Sequence, residues 1–181
     1  MQFFFENNQI EEISCCLNEF LEKNIYKPII FLCIGTDKVI GDSFGPIVGH
    51  FLTNEKNINI YGNLINTVNA TNIYEVYEEI KEKYKEPYIV VIDSALSEKE
   101  LKNKIVIGTG GINPGSALNK KINKIGDMYI NAIVCELGEN NFEELKKVKL
   151  YDIFNLSNTI VTAIKNVKCL KEIKFVNNYI S

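Results

Sequence analysis

Arginine and tryptophan are absent from the sequence, and histidine occurs once, at His50. All 20 basic residues are therefore lysines. The bidentate contact that a guanidinium group makes with a phosphate or a carboxylate is excluded for this chain. Mechanisms that need two histidines, such as the HExxH zinc site, are excluded as well.

Paired cysteine spacings and long apolar runs are also missing. The five cysteines are odd in number and show no CxxC spacing, which argues against a disulfide framework and a zinc ribbon. No apolar run approaches the roughly 18 residues of a membrane span. Residues 1–8 lack the basic region and the apolar stretch of a signal peptide. We therefore predict a cytoplasmic protein with no membrane partner.

A basic excess is the last feature that the sequence lacks. The net charge is −3 and the pI is about 5.4, whereas proteins that read nucleic acid usually carry a basic surface. We therefore predict no nucleic-acid partner. The remaining composition, 46% hydrophobic and 24% charged, is ordinary for a folded soluble chain. A length of 181 residues suits one domain, so residues 1–181 are predicted to form a single unit.

The apolar residues predict helices that alternate with strands. The predicted helices are amphipathic and comprise residues 9–22, 43–52, 73–84 and 152–167. The predicted strands are apolar runs at residues 28–34, 58–61, 88–92, 104–107 and 128–135. Because the strongest strands are apolar throughout, the pattern is typical of a three-layer α/β/α fold with a mainly parallel sheet. Asn72 is predicted to cap the third helix, and Phe154 and Ile160 in the last helix to face the core.

Two aspartates follow the strongest strands. Asp42 lies in a Gly-containing loop after the first apolar strand, and Asp93 is predicted to end the strand at residues 88–92. In parallel sheets, ligands bind at the carboxyl ends of the strands, so both acids are predicted at one edge. Polar residues that could reach the same edge are candidates for substrate binding: Thr36, Ser43, Asn69, Ser94, Asn113 and Asn119.

Several common catalytic and nucleotide-binding motifs fail. Five residues rather than four separate Gly35 from Gly41, and Asp42 stands where a Walker motif has lysine. No Gly-x-Ser-x-Gly elbow occurs. Ser116 and Lys120 are four residues apart and could form a Ser-Lys dyad if a helix formed there. The glycines and the proline around them weaken that alternative.

A carboxylate pair is the better-supported alternative. Two acids that share a site do not both ionise easily, so the pair holds one proton. One acid then acts as the base on a water molecule while the other protonates the scissile carbonyl. We predict that Asp42, before a helix, is the ionised base, and that Asp93, at a buried strand, is the protonated partner. The competing interpretation is that Asp42 only caps a helix and Asp93 only ends a strand.

Three blocks carry a resemblance to a known family. Residues 35–46, GTDKVIGDSFGP, look like the signature of the spore protease family that includes the YyaC-like sporulation proteins. The same segment is similar to the Asp-Ala-Leu-Gly-Pro segment of germination protease. Residues 91–96, VIDSAL, resemble its Ile-Asp-Ala-Leu segment, and residues 113–120, NPGSALNK, resemble its Pro-Gly-Ser-Gly stretch.

The resemblance implies an α/β fold shared with germination protease and, more distantly, with hydrogenase maturation proteases. The two catalytic aspartates of germination protease fall on Asp42 and Asp93. Hydrogenase maturation proteases also carry a histidine on a later strand. This sequence has none after His50, so the resemblance carries over the acid pair and not a metal site. The chain is shorter than germination protease, so the resemblance does not by itself fix a propeptide, the oligomer or the substrate.

The sequence therefore predicts a cytoplasmic, sporulation-associated aspartate peptidase that needs no cofactor. If the resemblance extends to substrate, the target is a small acid-soluble spore protein or another spore protein, and the compartment is the forespore or the spore core. Two alternatives stay open. One is a non-catalytic protein that binds a peptide or a protein with the same crevice. The other is a metal-dependent hydrolase that uses the same acids.

Overall fold

The computed structural model describes residues 1–113 and 124–177. A six-stranded sheet lies at its centre, in the order β1-β5-β6-β4-β2-β3. The strands are β1 (Gln2–Glu6), β2 (Ile29–Cys33), β3 (Asn59–Tyr61), β4 (Tyr88–Ser97), β5 (Lys104–Thr109) and β6 (Met128–Glu136). The helices are α1 (Ile10–Glu22), α2 (Phe44–Leu52), α3 (Ile73–Lys83), α4 (Asn141–Lys146), α5 (Leu150–Asn166) and α6 (Lys168–Asn177).

The sheet is mainly parallel, as the sequence predicts. Strands β3, β2, β4 and β6 pair in parallel, whereas β5 runs antiparallel to both β6 and β1. The parallel strands are buried on both faces, which explains why they are apolar at every position rather than at alternate ones. All five residues of β2, for example, are buried.

Helices cover both faces, which confirms the three-layer α/β/α class. On one face, α1, α2 and α5 pack against Phe31 and Ile92 of the sheet. On the other face, α3 contributes Ile73 and Ile80, which pack against Leu32 and neighbouring strand residues. Successive strand side chains alternate between these two clusters, as the period of an extended chain requires. No helix among the described residues is long and apolar enough to cross a membrane.

Strand β4 is longer than the sequence predicts. We expected it to end at Asp93, but it continues to Ser97 because β6 remains hydrogen-bonded beside it, up to the pairing of Ser97 with Glu136. Its other neighbour, β2, stops where Cys33 pairs with Ile92. From Asp93 onward, β4 therefore has a strand on one side only, and a notch opens in the carboxyl edge of the sheet.

Three further expectations are corrected. Phe154 is 46% exposed rather than buried, and its ring packs edge-to-face against Phe51 on the surface. The Asn72 side chain does not cap α3; it accepts from the Asn69 N–H and donates to the Thr67 carbonyl instead. Strand β1 and helix α4 were not expected at all. Ile160, in contrast, is buried as predicted.

Candidate active site

The segment that carries Asp42 fills the notch beside β4. It leaves β2 through Ile34, whose N–H donates to the Ile92 carbonyl at 2.8 Å. A short 3-10 helix, Ile40–Asp42, then packs against β4 and leads into α2. The turn is closed by the Thr36 N–H, which donates to the main-chain carbonyl of Asp42 at 3.0 Å. The loop thus places the first acid beside the strand that holds the second.

Gly35 makes this turn possible. Its φ is +137°, which side-chain-bearing residues rarely adopt, and a Cβ atom there would lie 2.0 Å from the Asp42 main-chain oxygen. Only glycine lets the chain return so closely upon itself. The position of Asp42 therefore depends on a residue seven places earlier.

The two acids are close enough to affect each other's ionisation. Burial, and then the charge of Asp42, raise the pKa of the Asp93 carboxyl well above its usual range. A 2.8 Å hydrogen bond from the Ser94 N–H to Asp93 Oδ1 opposes this shift without cancelling it. Asp93 therefore holds its proton more tightly than an ordinary aspartic acid does.

The pKa of Asp42 is also raised, to about 6, mainly because the carboxyl is buried. A hydrogen bond from the Thr36 N–H lowers it in part. We expected the start of α2 to lower this pKa instead, and that expectation is wrong. Asp42 lies within the preceding 3-10 helix and Ser43 separates it from α2, so desolvation outweighs the helix dipole. At pH 7 the carboxyl is still mainly ionised.

A cavity of about 350 Å³ opens beside Asp93. Strands β4 and β6 contribute polar groups, including Asp93, Ser94 and Asn131. Asp42 is not one of the described residues that line this cavity. Leu145 does line it, and Leu145 contacts Gly41, the residue before Asp42. A second cavity, of about 390 Å³, lies along α1 and contains neither acid. The cavity beside Asp93 is therefore the candidate substrate site.

Of the predicted substrate-binding residues that the structure describes, two line the cavity and three serve local turns. Ser94 and Asn113 line the cavity. Ser43, Thr36 and Asn69 serve local turns: the Ser43 hydroxyl donates to the Ile40 carbonyl at 2.7 Å, Thr36 Oγ1 accepts from the Lys38 N–H, and Asn69 Oδ1 accepts from both the N–H and the hydroxyl of Thr71.

Two predictions lie outside the described residues. These are Asn119 and the Ser116–Lys120 dyad, both within residues 114–123. His50 lies on the surface of α2 with its ring near Phe51. All five cysteines are free thiols.

Asn131 is a polar residue of the site that sequence reasoning missed. It pairs with Asp93 across the β4–β6 ladder, so the two side chains lie side by side on one face. Its Oδ1 atom is buried and has no hydrogen-bond partner among the described residues, and the same holds for Ser94 Oγ. The sequence signal that could have indicated Asn131 is that it is the one amide side chain within the apolar run of residues 128–135. Buried acceptors without a donor are uncommon in native folds and need an explanation.

Within the described part of the chain, no group of three or more His, Cys, Asp or Glu side chains converges as a metal site would require. The polar atoms that the structure describes beside Asp93 are the neutral oxygen atoms of the Asn131 amide and the Ser94 hydroxyl, not those of a third acid or the nitrogens of an imidazole. The arrangement can move a proton and can accept hydrogen bonds from a bound molecule.

A mainly parallel α/β sheet with two carboxylic acids at its carboxyl edge places the chain in the class of α/β proteins whose site lies at the strand ends. Residues 2–163 match the protein family described as "Protein of unknown function (DUF1256)". The chain belongs to this family.

One curated relative and one solved structure are similar to the chain. The relative is "Uncharacterized protein YyaC" of Bacillus subtilis (strain 168), 31% identical over 156 residues, which are 85% of this chain and 76% of the relative. This similarity confirms the predicted relation to YyaC-like proteins. The structure is that of the NiFe hydrogenase maturation protease HycI from Thermococcus kodakarensis KOD1, with a TM-score of 0.46 and 17% identity over 77% of this chain and 93% of HycI.

Proposed function

We propose that the protein is a peptidase that cleaves a protein substrate with Asp42 and Asp93. The observation that supports this proposal is the unequal pair of acids: one has a pKa of about 6 and its neighbour a pKa well above the usual range. Near neutral pH such a pair holds one proton and one negative charge. An acid and a base side by side are what the hydrolysis of an amide without a covalent intermediate requires.

The reaction would proceed through two proton transfers. The Asp42 carboxylate takes a proton from water as the water oxygen bonds to the carbonyl carbon of the peptide. Asp93 gives its proton to the carbonyl oxygen, which produces a neutral diol. When the C–N bond breaks, Asp42 passes its proton to the leaving nitrogen. Asp93 recovers a proton from a diol hydroxyl, so a carboxylic acid and an amine leave and both acids return to their starting states.

The resemblance to YyaC-like sporulation proteins supports a substrate among spore proteins. Small acid-soluble spore proteins are the first candidates, and the forespore or the spore core is the proposed compartment. The proposed reaction does not depend on which protein carries the peptide bond. It requires a peptide bond that can reach the two acids.

The experiment that tests this proposal is digestion of a spore-protein extract by the purified protein. Wild type, Asp42→Asn and Asp37→Asn are run in parallel between pH 5 and 8, with and without a chelator. New peptide termini are identified by mass spectrometry. Asp37 is the matched control because it is an exposed aspartate in the same loop. We expect new termini from wild type and Asp37→Asn alone, in both the presence and the absence of chelator.

The other outcomes separate the alternatives. Termini that also appear with Asp42→Asn would show that the acid pair is not responsible. Termini that vanish with chelator would support a metal-dependent hydrolase on the same acids. If folded wild type produces no termini, the peptidase proposal is wrong for this substrate pool, and a binding protein becomes the better account.

A further inference from the structure

The cavity beside Asp93 has an apolar wall that core packing does not explain. Leu137 is 61% exposed and Phe142 is 53% exposed, yet both line the cavity together with Leu145. Large apolar side chains that stand open to solvent around a concave site are typical of surfaces that bind a ligand. Their apolar area would be removed from water only when something fills the cavity.

The wall is held in place by specific contacts. The side chain of Asn140 caps α4, accepting from the N–H groups of Phe142 and Glu143 at 3.2 and 3.4 Å. Leu145 packs against Gly41, where a Cβ atom would lie only 2.6 Å from the Leu145 carbonyl oxygen. Helix α4 is therefore fitted onto the turn that carries Asp42, so the wall and the acid pair form one structure.

Two lysines at the end of helix α4 are already paired with glutamates. Lys146 binds Glu143 at 2.8 Å and Lys147 binds Glu144 at 2.7 Å. The Lys146 ammonium also lies 4.4 Å from the centroid of the Phe142 ring. A charged side chain entering the cavity would compete with these pairs and lose water, whereas an apolar one would gain contact with the wall.

We propose that this cavity binds one large apolar side chain of the substrate, next to the bond that is cleaved, and that Phe142 and Leu137 select it. The inference rests on the proposed function for the position of that bond. Asn131 lines the same cavity, and its Oδ1 atom is buried without a hydrogen-bond partner among the described residues. At about 350 Å³ the cavity is near the lower end of the usual range for ligand sites, so it admits an extended segment rather than a folded domain.

Binding of peptide mixtures to the Asp42→Asn protein tests the inference without requiring cleavage. Each fluorescent mixture fixes one position as Leu, Phe, Ala or Lys and varies the others, and binding is followed by anisotropy. We expect Leu and Phe at one position to bind about tenfold more tightly than Ala, and Lys to bind least tightly. Adding Phe142→Ala or Leu137→Ala to this protein should reduce the preference to about threefold or less.

The matched control is Phe154→Ala in the same background. Phe154 has a similar exposure, 46%, but does not line the cavity, so the preference should be unchanged. A preference that survives both wall substitutions overturns the inference, as does the lack of binding by any mixture. A preference for apolar side chains without cleavage by wild type would support the subsite and contradict the peptidase proposal. Cleavage without such a preference would support the peptidase proposal and contradict the subsite.

Discussion

The turn that carries Asp42 and the strand that carries Asp93 hold the same chemical group in two different ways. Asp42 is positioned by local contacts, which are the close return of the chain at Gly35 and a hydrogen bond from Thr36. Asp93 is positioned by strand pairing. Its partner in the β4–β6 ladder is Asn131, which lies 38 residues further along the chain. The strand buries its acid more completely, so its pKa rises further. Unequal acids thus arise from unequal scaffolds rather than from different residue types.

The largest expected effect separates the two acids by their roles. Asp42→Asn removes the base, and we expect kcat/KM to fall about 10³-fold or more. Asp93→Asn retains a hydrogen-bond donor that can polarise the carbonyl, so we expect a smaller loss, about 10²-fold. Both values come from steady-state cleavage of a defined peptide. Unchanged activity in both variants would eliminate the acid pair, and the reverse order would exchange the two roles.

The turn is predicted to be more sensitive to substitution than an ordinary glycine loop. Gly35→Ala places a Cβ atom against the Asp42 carbonyl oxygen, so we expect the free energy of unfolding to fall by about 3 kcal/mol. The control is Gly110→Ala. Gly110 has a φ of +93°, but among the described residues a Cβ atom there meets nothing within 4 Å, so we expect a cost of about 1 kcal/mol. Urea denaturation measures both, and equal losses would contradict the argument from close approach.

Both acids should link the stability of the fold to pH. A carboxyl whose pKa is raised by folding binds more protons in the folded state, so the free energy of unfolding falls as pH rises above the unfolded value. For Asp42 this fall ends near pH 6 and amounts to about 3 kcal/mol. For Asp93, burial and the charge of Asp42 also raise the pKa, so the free energy of unfolding falls with rising pH in the same sense.

Thermal or urea unfolding from pH 4 to 8 measures this linkage directly. Relative to wild type, Asp42→Asn should gain stability up to about pH 6 and then level off. Asp93→Asn should also gain stability relative to wild type as the pH rises above the unfolded value. Two variants whose advantage is flat across the range would show that neither pKa is raised by folding.

The smallest expected effect distinguishes two serines, one beside each acid. The Ser43 hydroxyl is bonded within the turn, so Ser43→Ala should cost about 1 kcal/mol without changing KM. The Ser94 hydroxyl has no partner among the described residues, so Ser94→Ala should change stability by less than about 0.5 kcal/mol. If Ser94 contacts substrate, as the sequence predicts, KM should rise in that variant alone. A rise in KM for Ser43→Ala instead would reverse the assignment.

Much of the fold could be predicted because the signals are local. The apolar run of β2 and the helical spacing of α1 depend only on neighbouring residues. The observed bounds of β2 differ from the predicted ones by one residue at each end, and those of α1 by one residue at the start. The end of β4 could not be predicted in this way. It depends on how far β6 continues beside it, which is a property of pairing and not of the β4 sequence.

The candidate site was predicted in part for the same reason. Asp42 and Asp93 each follow a recognisable apolar strand, so their proximity follows from topology. Asn131 is brought to Asp93 by strand register, which a single sequence does not reveal. Helix α4, with Phe142 on the cavity wall, has only six residues and gives too short a period to detect, although Asn140 before it and two glutamates in its first turn are a start signal.

The pairing of β1 with β5 has a consequence for how the chain acquires its structure. Phe3 of β1 pairs with Ile107, so more than a hundred residues separate the partners. During synthesis the first strand emerges well before the strand that receives it, and closing so long a loop is slow. We therefore expect β1 to dock late in folding and to release early. Its amide protons should exchange with deuterated solvent sooner than those of β2, β4 and β6 at the centre of the sheet.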